Sequence, residues 1–301
     1  MADQHPRLTV GLPVYNGEDY LDETLRAIRG QTFTDFVLFV ADNASTDGTR
    51  DIVEAHRAED SRIVVDVADR NRGAAWNWNR CYRGAQSPYF SWACADDIPL
   101  PRKFEVCVDL LDDTGPEVVL AYPGTDLIDE HGVVTGHYED IGPVDEPDPA
   151  ARLTRIVRDL SLVHPLFGVV RTDVLRSTAG MGAYKRADTV LLGELAMRGR
   201  FAFDPAVHFH RRVHPEVSMQ GDDASIAAHY TGRADARPTH PFGRLLRGHL
   251  TAVRQAPIGA ADKARCVAAL RRWRYRGRLL DETRSAITGV VTRTRRRLTR
   301  N

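Results

Sequence analysis

A regular exchange of short apolar runs and amphipathic stretches over the first 130 residues constrains the fold more than any other feature. Residues 8–14 (LTVGLPV) form an apolar run ended by Pro13 and the turn pair Asn16-Gly17. Leu21, Leu25 and Ile28 then recur at helical spacing. The runs 36–42 (FVLFVAD), 62–69 (RIVVDVAD), 88–97 (PYFSWACADD) and 117–122 (EVVLAY) predict four more strands. Helices are predicted over 46–59, with Thr46 or Asp47 as its cap, over 74–85 and over 103–113. Strand–helix–strand repetition at this spacing predicts an α/β architecture, a mostly parallel sheet with helices on both faces. Ligands of such sheets bind outside the carboxyl ends of the strands. The residues that follow each strand are therefore the ones that carry chemistry.

From about residue 132 the exchange weakens. A polar, Pro-rich loop covers 143–151. A helix is expected over 151–159, a strand turning into a helix over 166–175, a helix over 187–199 and a strand over 201–213. Beyond residue 221 the pattern is helical, with amphipathic candidates near 242–255, 260–279 and 281–297. The expected division is 1–130, 131–220 and a helical, Arg-rich extension 221–301.

Charge and cysteine usage narrow the function class. The 301 residues carry no net charge, but from Arg271 onward 11 Arg face only Asp281 and Glu282, leaving the first 270 residues at −9. An acidic body with a basic end does not fit a general nucleic-acid binder. Cys81, Cys94, Cys107 and Cys266 lack the paired spacing of a metal knuckle and read as reduced thiols. The N-terminus has no apolar targeting stretch, and no apolar run reaches the ~18 residues of a membrane span. The expected location is cytoplasmic, with peripheral contact at the inner face of a membrane as an option for the basic end.

Each strand end offers polar groups. Tyr15 presents a flat face for a base after strand one. Asp42, in DNASTDGT (42–49), can accept from a base edge or ribose, although such a segment also caps helices. Asn71 and Gly73 follow strand three, and Asn79 lies six residues further on. Asp96 and Asp97 end strand four, and two adjacent carboxylates after an apolar run call for a neutralising cation. Mg²⁺ takes one or two carboxylates plus substrate phosphate oxygens. Gathered on one edge, these loops describe a cleft with a base pocket, a ribose acceptor and a metal–diphosphate seat.

In this order and spacing the sequence resembles glycosyltransferase family 2, of the GT-A fold, from Leu8 to about Leu111. The family's P-x-Y-N strand end is Pro13-Val14-Tyr15-Asn16, its D-[DN]-x-S-x-D-G-T segment runs from Asp42 to Thr49, and its N-x-G is Asn71-Arg72-Gly73. The metal-binding D-x-D-D corresponds to Cys94-Ala95-Asp96-Asp97, where the first Asp is replaced by Cys94, no hard oxygen ligand. The resemblance implies a GT-A fold and transfer, with inversion, of a sugar from a nucleoside diphosphate to an acceptor hydroxyl. It implies nucleotide binding by Pro13, Tyr15, Asn16, Asp42, Asn71, Gly73, Asn79, Ala95 and Asp96. It implies a Mg²⁺ or Mn²⁺ ion at Asp96 and Asp97, with His214 of an R-x-H segment touching the metal or the diphosphate. Asp188, at the start of a predicted helix, is the implied general base, with Glu194 in reserve. Arg211 or Arg212 would neutralise phosphate. Asp42 favours a UDP or dTDP donor, whose base N3–H can donate to it. The acceptor is left open among a polysaccharide, a lipid-linked saccharide and a small metabolite. Two other functions stay open: a non-catalytic nucleotide-sugar or glycan-binding scaffold, favoured by Cys94, and a sugar nucleotidyltransferase, disfavoured by the acidic loop after strand one. The C-terminal helices are expected to pack on the main domain, with membrane or subunit contact as the alternative.

Overall fold

A computed structural model describes residues 5–214, 223–233 and 241–272. Its first half consists of β1 (Leu8–Val14), α1 (Glu18–Arg29), β2 (Phe36–Asp42), α2 (Thr49–Glu59), β3 (Ile63–Val67), α3 (Ala74–Arg83) and β4 (Tyr89–Trp92). β1 pairs in parallel with β2 on one side and β4 on the other, and β2 pairs in parallel with β3. The strand order β3-β2-β1-β4 thus reverses at β1, the point where α/β sheets open a crevice. Val14 is level with Asp42, and Asp42 with Val67, so three strand ends share one rim.

The second half contains β5 (Ile98–Pro99), α4 (Lys103–Asp112), β6 (Val118–Ile128), β7 (Val134–Tyr138), α5 (Pro149–Asp159), a 3₁₀ turn (His164–Phe167), β8 (Val169–Arg171), α6 (Thr172–Arg176), α7 (Ala187–Arg198) and β9 (Arg200–Arg212). It extends the same sheet in the order β8-β6-β9-β5, with β7 on β6. The parallel pattern expected for the sheet holds through β1–β4 and returns at β6–β9. β8 joins β4 and β6 antiparallel, and β5 joins β9 antiparallel. The antiparallel insertion turns the end of β9 back toward the loop after β4.

Each sheet face has its own core. On one face α1 contributes Leu21, Leu25 and Ile28, and α4 contributes Phe104, Cys107, Val108 and Leu111. On the other, α3 brings Cys81 and Tyr82 and α7 brings Leu191, Leu192 and Leu195. Fully burying one such side chain is worth ~1.5–3 kcal/mol, so the rim rests on a rigid base.

Some boundaries differ from expectation. α2 begins at Thr49, behind Gly48, and of the two expected caps Asp47 is the one whose side chain accepts an N–H of its first turn. Asp47 accepts the N–H groups of Thr49 (3.1 Å) and Glu18 (3.1 Å), tying the start of α2 to the start of α1. β4 stops at Trp92, which leaves residues 93–97 as loop. After α8 (Asp223–Thr231), α9 (Pro241–Gln255) and α10 (Ala260–Arg272) pack on α5 and α7 through Leu245, Val253, Cys266 and Leu270. The predicted helix over 281–297 and the basic stretch 292–300 lie outside the described residues. Among the described residues no helix is long and apolar enough to cross a membrane.

Candidate functional site

The loop after β1 connects the two carboxylate regions. Asn16 sits at φ 52°, a left-handed conformation that Asn tolerates. Its N–H donates to Ser45 Oγ (2.9 Å), and its Oδ1 accepts from Thr46 N–H (2.9 Å). Gly17 donates to Thr49 Oγ1 (2.8 Å), and a Cβ at Gly17 would lie 3.3 Å from that of Ala95. The β2 loop and the β4 loop therefore flank the same short segment. Tyr15 projects from it and is 45% exposed, free to present its ring.

Asp42 is buried. Its Oδ1 accepts from Ser45 N–H (2.9 Å) and Oγ (2.5 Å), and its Oδ2 from Arg50 Nε (3.0 Å). This carboxylate shapes the loop as well as facing the rim. Asn43 extends the frame: its Nδ2 donates to Asn71 Oδ1 (2.9 Å) and its Oδ1 accepts from Arg72 N–H (3.0 Å). Gly73 adopts φ 86°, and a Cβ there would come within 2.4 Å of the backbone of Gly232, just beyond α8. Only glycine allows that approach. Asn79 faces elsewhere. Both its amide atoms bond Met181, through the carbonyl (2.8 Å) and the N–H (2.7 Å), so it anchors the segment leading to α7.

Asp96, Asp97 and Cys94 place ligand atoms within 4.8 Å of one another. Asp97 is buried and accepts Arg212 N–H (2.9 Å). Burial, then the Asp96 charge, pushes its carboxyl up to about 7, while Arg211 and the Arg212 N–H act against the shift. Two adjacent carboxylates, one held back from ionising, form a donor set that a hard divalent cation suits. Burial and the two carboxylates push the Cys94 thiol well above its ordinary value, so it stays protonated and offers no hard ligand. His214 Nε2 lies 3.1 Å from Asp96 Oδ2, with its ring against Tyr20.

The two arginines at the end of β9 have different surroundings. Arg212 is buried, and its guanidinium is consumed by the Asp96 carbonyl (2.9 Å), the Asp129 and Glu130 carbonyls and Glu23 Oε2 (2.5 Å). Four of its five N–H donors are engaged there, which ties it to holding the β4 loop. Arg211 differs: its Nη1 is buried with no hydrogen-bond partner. Its charge acts on Cys94, Asp97 and Asp188 alike.

Asp188 lies in the first turn of α7, behind Arg186, a non-glycine residue held at φ 66°. Such strained positions persist only where the surroundings over-determine them. Burial pushes the Asp188 carboxyl above the usual range, against the Thr189 N–H and the Arg186 and Arg211 charges. Glu194 is enclosed in an ion pair with Arg198 (3.0 Å), 1% and 4% exposed, and accepts from Ala179 N–H. That is a packing role, and it removes the reserve candidate from the cleft.

Sequence reading missed Thr24, whose Oγ1 donates to the carbonyls of Ala95 (3.0 Å) and Asp97 (2.9 Å). A threonine on the buried face of α1, between Leu21 and Leu25, was the available signal. Asn77 was also missed. It bridges β1 and β2 by donating to the Ala41 carbonyl (2.7 Å), and its Oδ1 is buried without a partner.

Comparison with known proteins agrees with this geometry. The model of the family described as "Glycosyl transferase family 2" matches residues 9–141. The putative teichuronic acid biosynthesis glycosyltransferase TuaG of Bacillus subtilis is 34% identical over 97 residues, covering 32% of this chain and 38% of TuaG. The chain spans less than half the length of the curated relatives it matches most strongly. S. aureus TarS 1-349 in complex with UDP superposes with a TM-score of 0.64 at 17% identity, over 91% of this chain and 73% of that one. The mannosyltransferase PcManGT of Pyrobaculum calidifontis, in complex with GDP-Man and Mn²⁺, gives 0.52 at 20% identity, over 96% and 81%. At these identities the structures speak for the shared GT-A fold alone. The sequence match likens residues 9–141 to glycosyl transferase family 2, and the order of the strand-end segments and the GT-A fold agree with that likeness.

Proposed function

We propose that this chain moves a sugar from a nucleoside-diphosphate sugar to an acceptor hydroxyl with inversion at the anomeric carbon. The supporting observation is the position of Arg211: one guanidinium, with an unpaired buried Nη1, acts on both Asp97 and Asp188. A cation seat and a base candidate within reach of one positive group is what a single displacement needs.

Tyr15 offers a face for the base, and the Asp42–Asn43–Asn71 frame fixes the loops around the ribose. Asp96 and Asp97, with His214 beside them, would hold Mg²⁺ or Mn²⁺. When bound, the ion offsets charge on the departing diphosphate. Arg211 adds a second positive group on the same side. Asp188 takes the proton of the acceptor hydroxyl, and its raised carboxyl suits that task better than an ordinary aspartate would. UDP or dTDP is the favoured donor nucleotide. The solved neighbours carry UDP or GDP-Man, which supports a nucleotide-sugar donor. The acceptor is a saccharide, a lipid-linked saccharide or a small molecule.

Incubation of the full chain with UDP- and dTDP-sugars and Mn²⁺ tests the reading. Released nucleoside diphosphate supports it. Released pyrophosphate indicates nucleotidyl transfer, and no product across the donors indicates a scaffold.

A further inference from the structure

A groove of about 600 Å³ runs between α9 and α10. Its floor is apolar, made by Leu250, Val253 and Val267, and Leu250 is 40% exposed. Its rim is cationic: Arg254, Lys263, Arg271 and Arg272 surround the floor, and among the described residues no carboxylate lines it. The one acidic residue in 241–272, Asp262, is engaged with Arg265 outside the groove. Among the described residues the rim charges are therefore not neutralised by acidic side chains lining the groove.

Charge is segregated across the whole molecule. Residues 241–272 carry seven Lys and Arg against that single Asp, whereas residues 1–240 carry 25 against 38 Asp and Glu. A molecule so polarised is oriented by an anionic surface with its α9–α10 side leading. Apolar floor and basic rim are the two halves of an interfacial contact, one for the acyl boundary and one for the headgroups.

We propose that the α9–α10 groove docks on an anionic phospholipid bilayer. Like charge argues against two other occupants. Residues 273–301 carry nine Arg against two acids and would meet a rim of the same sign. A second copy presenting the same face would do so too. Nucleic acid would satisfy the rim but has no use for the apolar floor. The contact is peripheral, since among the described residues no helix can cross a membrane. α9 also touches the segment ahead of Asp188, with Gly248 against the Tyr184 ring and Arg244 donating to the Ala183 carbonyl (3.4 Å). Docking would fix the acceptor side of the cleft relative to the lipid surface.

Vesicle co-sedimentation of the full chain tests this without reference to activity. Wild type is expected to partition onto phosphatidylcholine vesicles containing a quarter phosphatidylglycerol, and not onto pure phosphatidylcholine. Raising salt should release it. The variant Arg254→Gln/Lys263→Gln/Arg271→Gln/Arg272→Gln should lose at least about tenfold in partitioning, given the per-residue contribution of basic groups near such surfaces. Leu250→Asn leaves every charge in place and should also weaken binding. A control that removes four charges elsewhere, Arg293→Gln/Arg295→Gln/Arg296→Gln/Arg297→Gln, should lose less than the groove variant. Unchanged melting curves establish that the variants fold. Wild-type partitioning by both groove variants would overturn the proposal. So would equal binding to neutral vesicles, or a lipid-free dimer that Leu250→Asn dissociates.

Discussion

His214 Nε2 and Asp96 Oδ2 lie 3.1 Å apart although 118 residues separate them in the chain. β9 carries His214 to this position by pairing with β6 and β5, and β5 follows the Asp96 loop directly. Running parallel to β6 and antiparallel to the short β5, β9 thus ends at the rim that the loop after β4 also borders.

Asp188→Asn should reduce turnover by roughly 10²–10⁴-fold, the contribution of a positioned general base. Nucleoside diphosphate affinity should stay within about twofold, because Asp188 belongs to α7 and not to the strand-end loops. The wild-type rate should also fall as pH drops through the Asp188 carboxyl, at a pH above the ordinary carboxylate range. Steady-state kinetics with matched binding titrations checks both. Near-normal turnover by the variant would remove Asp188 from the base role.

Arg211 and Arg212 should separate cleanly. Arg211→Gln should weaken diphosphate binding by about tenfold or more while the melting temperature stays close to wild type, since its Nη1 has no protein partner to lose. Arg212→Gln removes a buried cation from Glu23 and three carbonyls and should cost about 3–5 kcal/mol of stability. Urea unfolding and nucleotide titration of both variants make the comparison.

Asp140 offers a pH test of buried electrostatics. Its side chain is 2% exposed, and neither carboxyl oxygen has a hydrogen-bond partner. His164, 3.5 Å away, is as deeply buried, and burial holds its imidazole neutral. Burial pushes the Asp140 carboxyl up to about 7, whereas an unfolded Asp ionises near pH ~4. Between those values the folded state keeps a proton that the unfolded state has lost. The contribution of this group to stability therefore falls as pH rises from about 4 to about 7. Asp140→Asn should stabilise the protein by roughly 1–4 kcal/mol at pH 8, and the gain should vanish near pH 4. Denaturation at the two pH values measures it. An equal effect at both would contradict the account.

The parallel half of the fold was legible because each strand there is a short apolar run followed by turn residues and a helical period. Position along the chain then put Tyr15, Asp42 and Asp96 on one rim. The antiparallel half was less so: Val169–Arg171 is three residues long, too short for any period, yet it joins β4 to β6. Side-chain roles were the least legible. Arg211 and Arg212 are chemically identical neighbours, but strand alternation sends one into the cleft wall and the other into a knot of carbonyls. Asn79 looks polar and available in sequence, and only the loop at Met181 reveals where its amide goes.

The account rests on a cation held by Asp96 and Asp97 against a nucleoside diphosphate. Calorimetric titration of UDP, dTDP and GDP into the full chain, with Mn²⁺ and with EDTA, tests it most directly. One nucleotide should bind at least about tenfold more tightly with Mn²⁺, and Asp96→Asn should abolish that difference. Binding that ignores Mn²⁺, or a metal-dependent gain that survives Asp96→Asn, would contradict it.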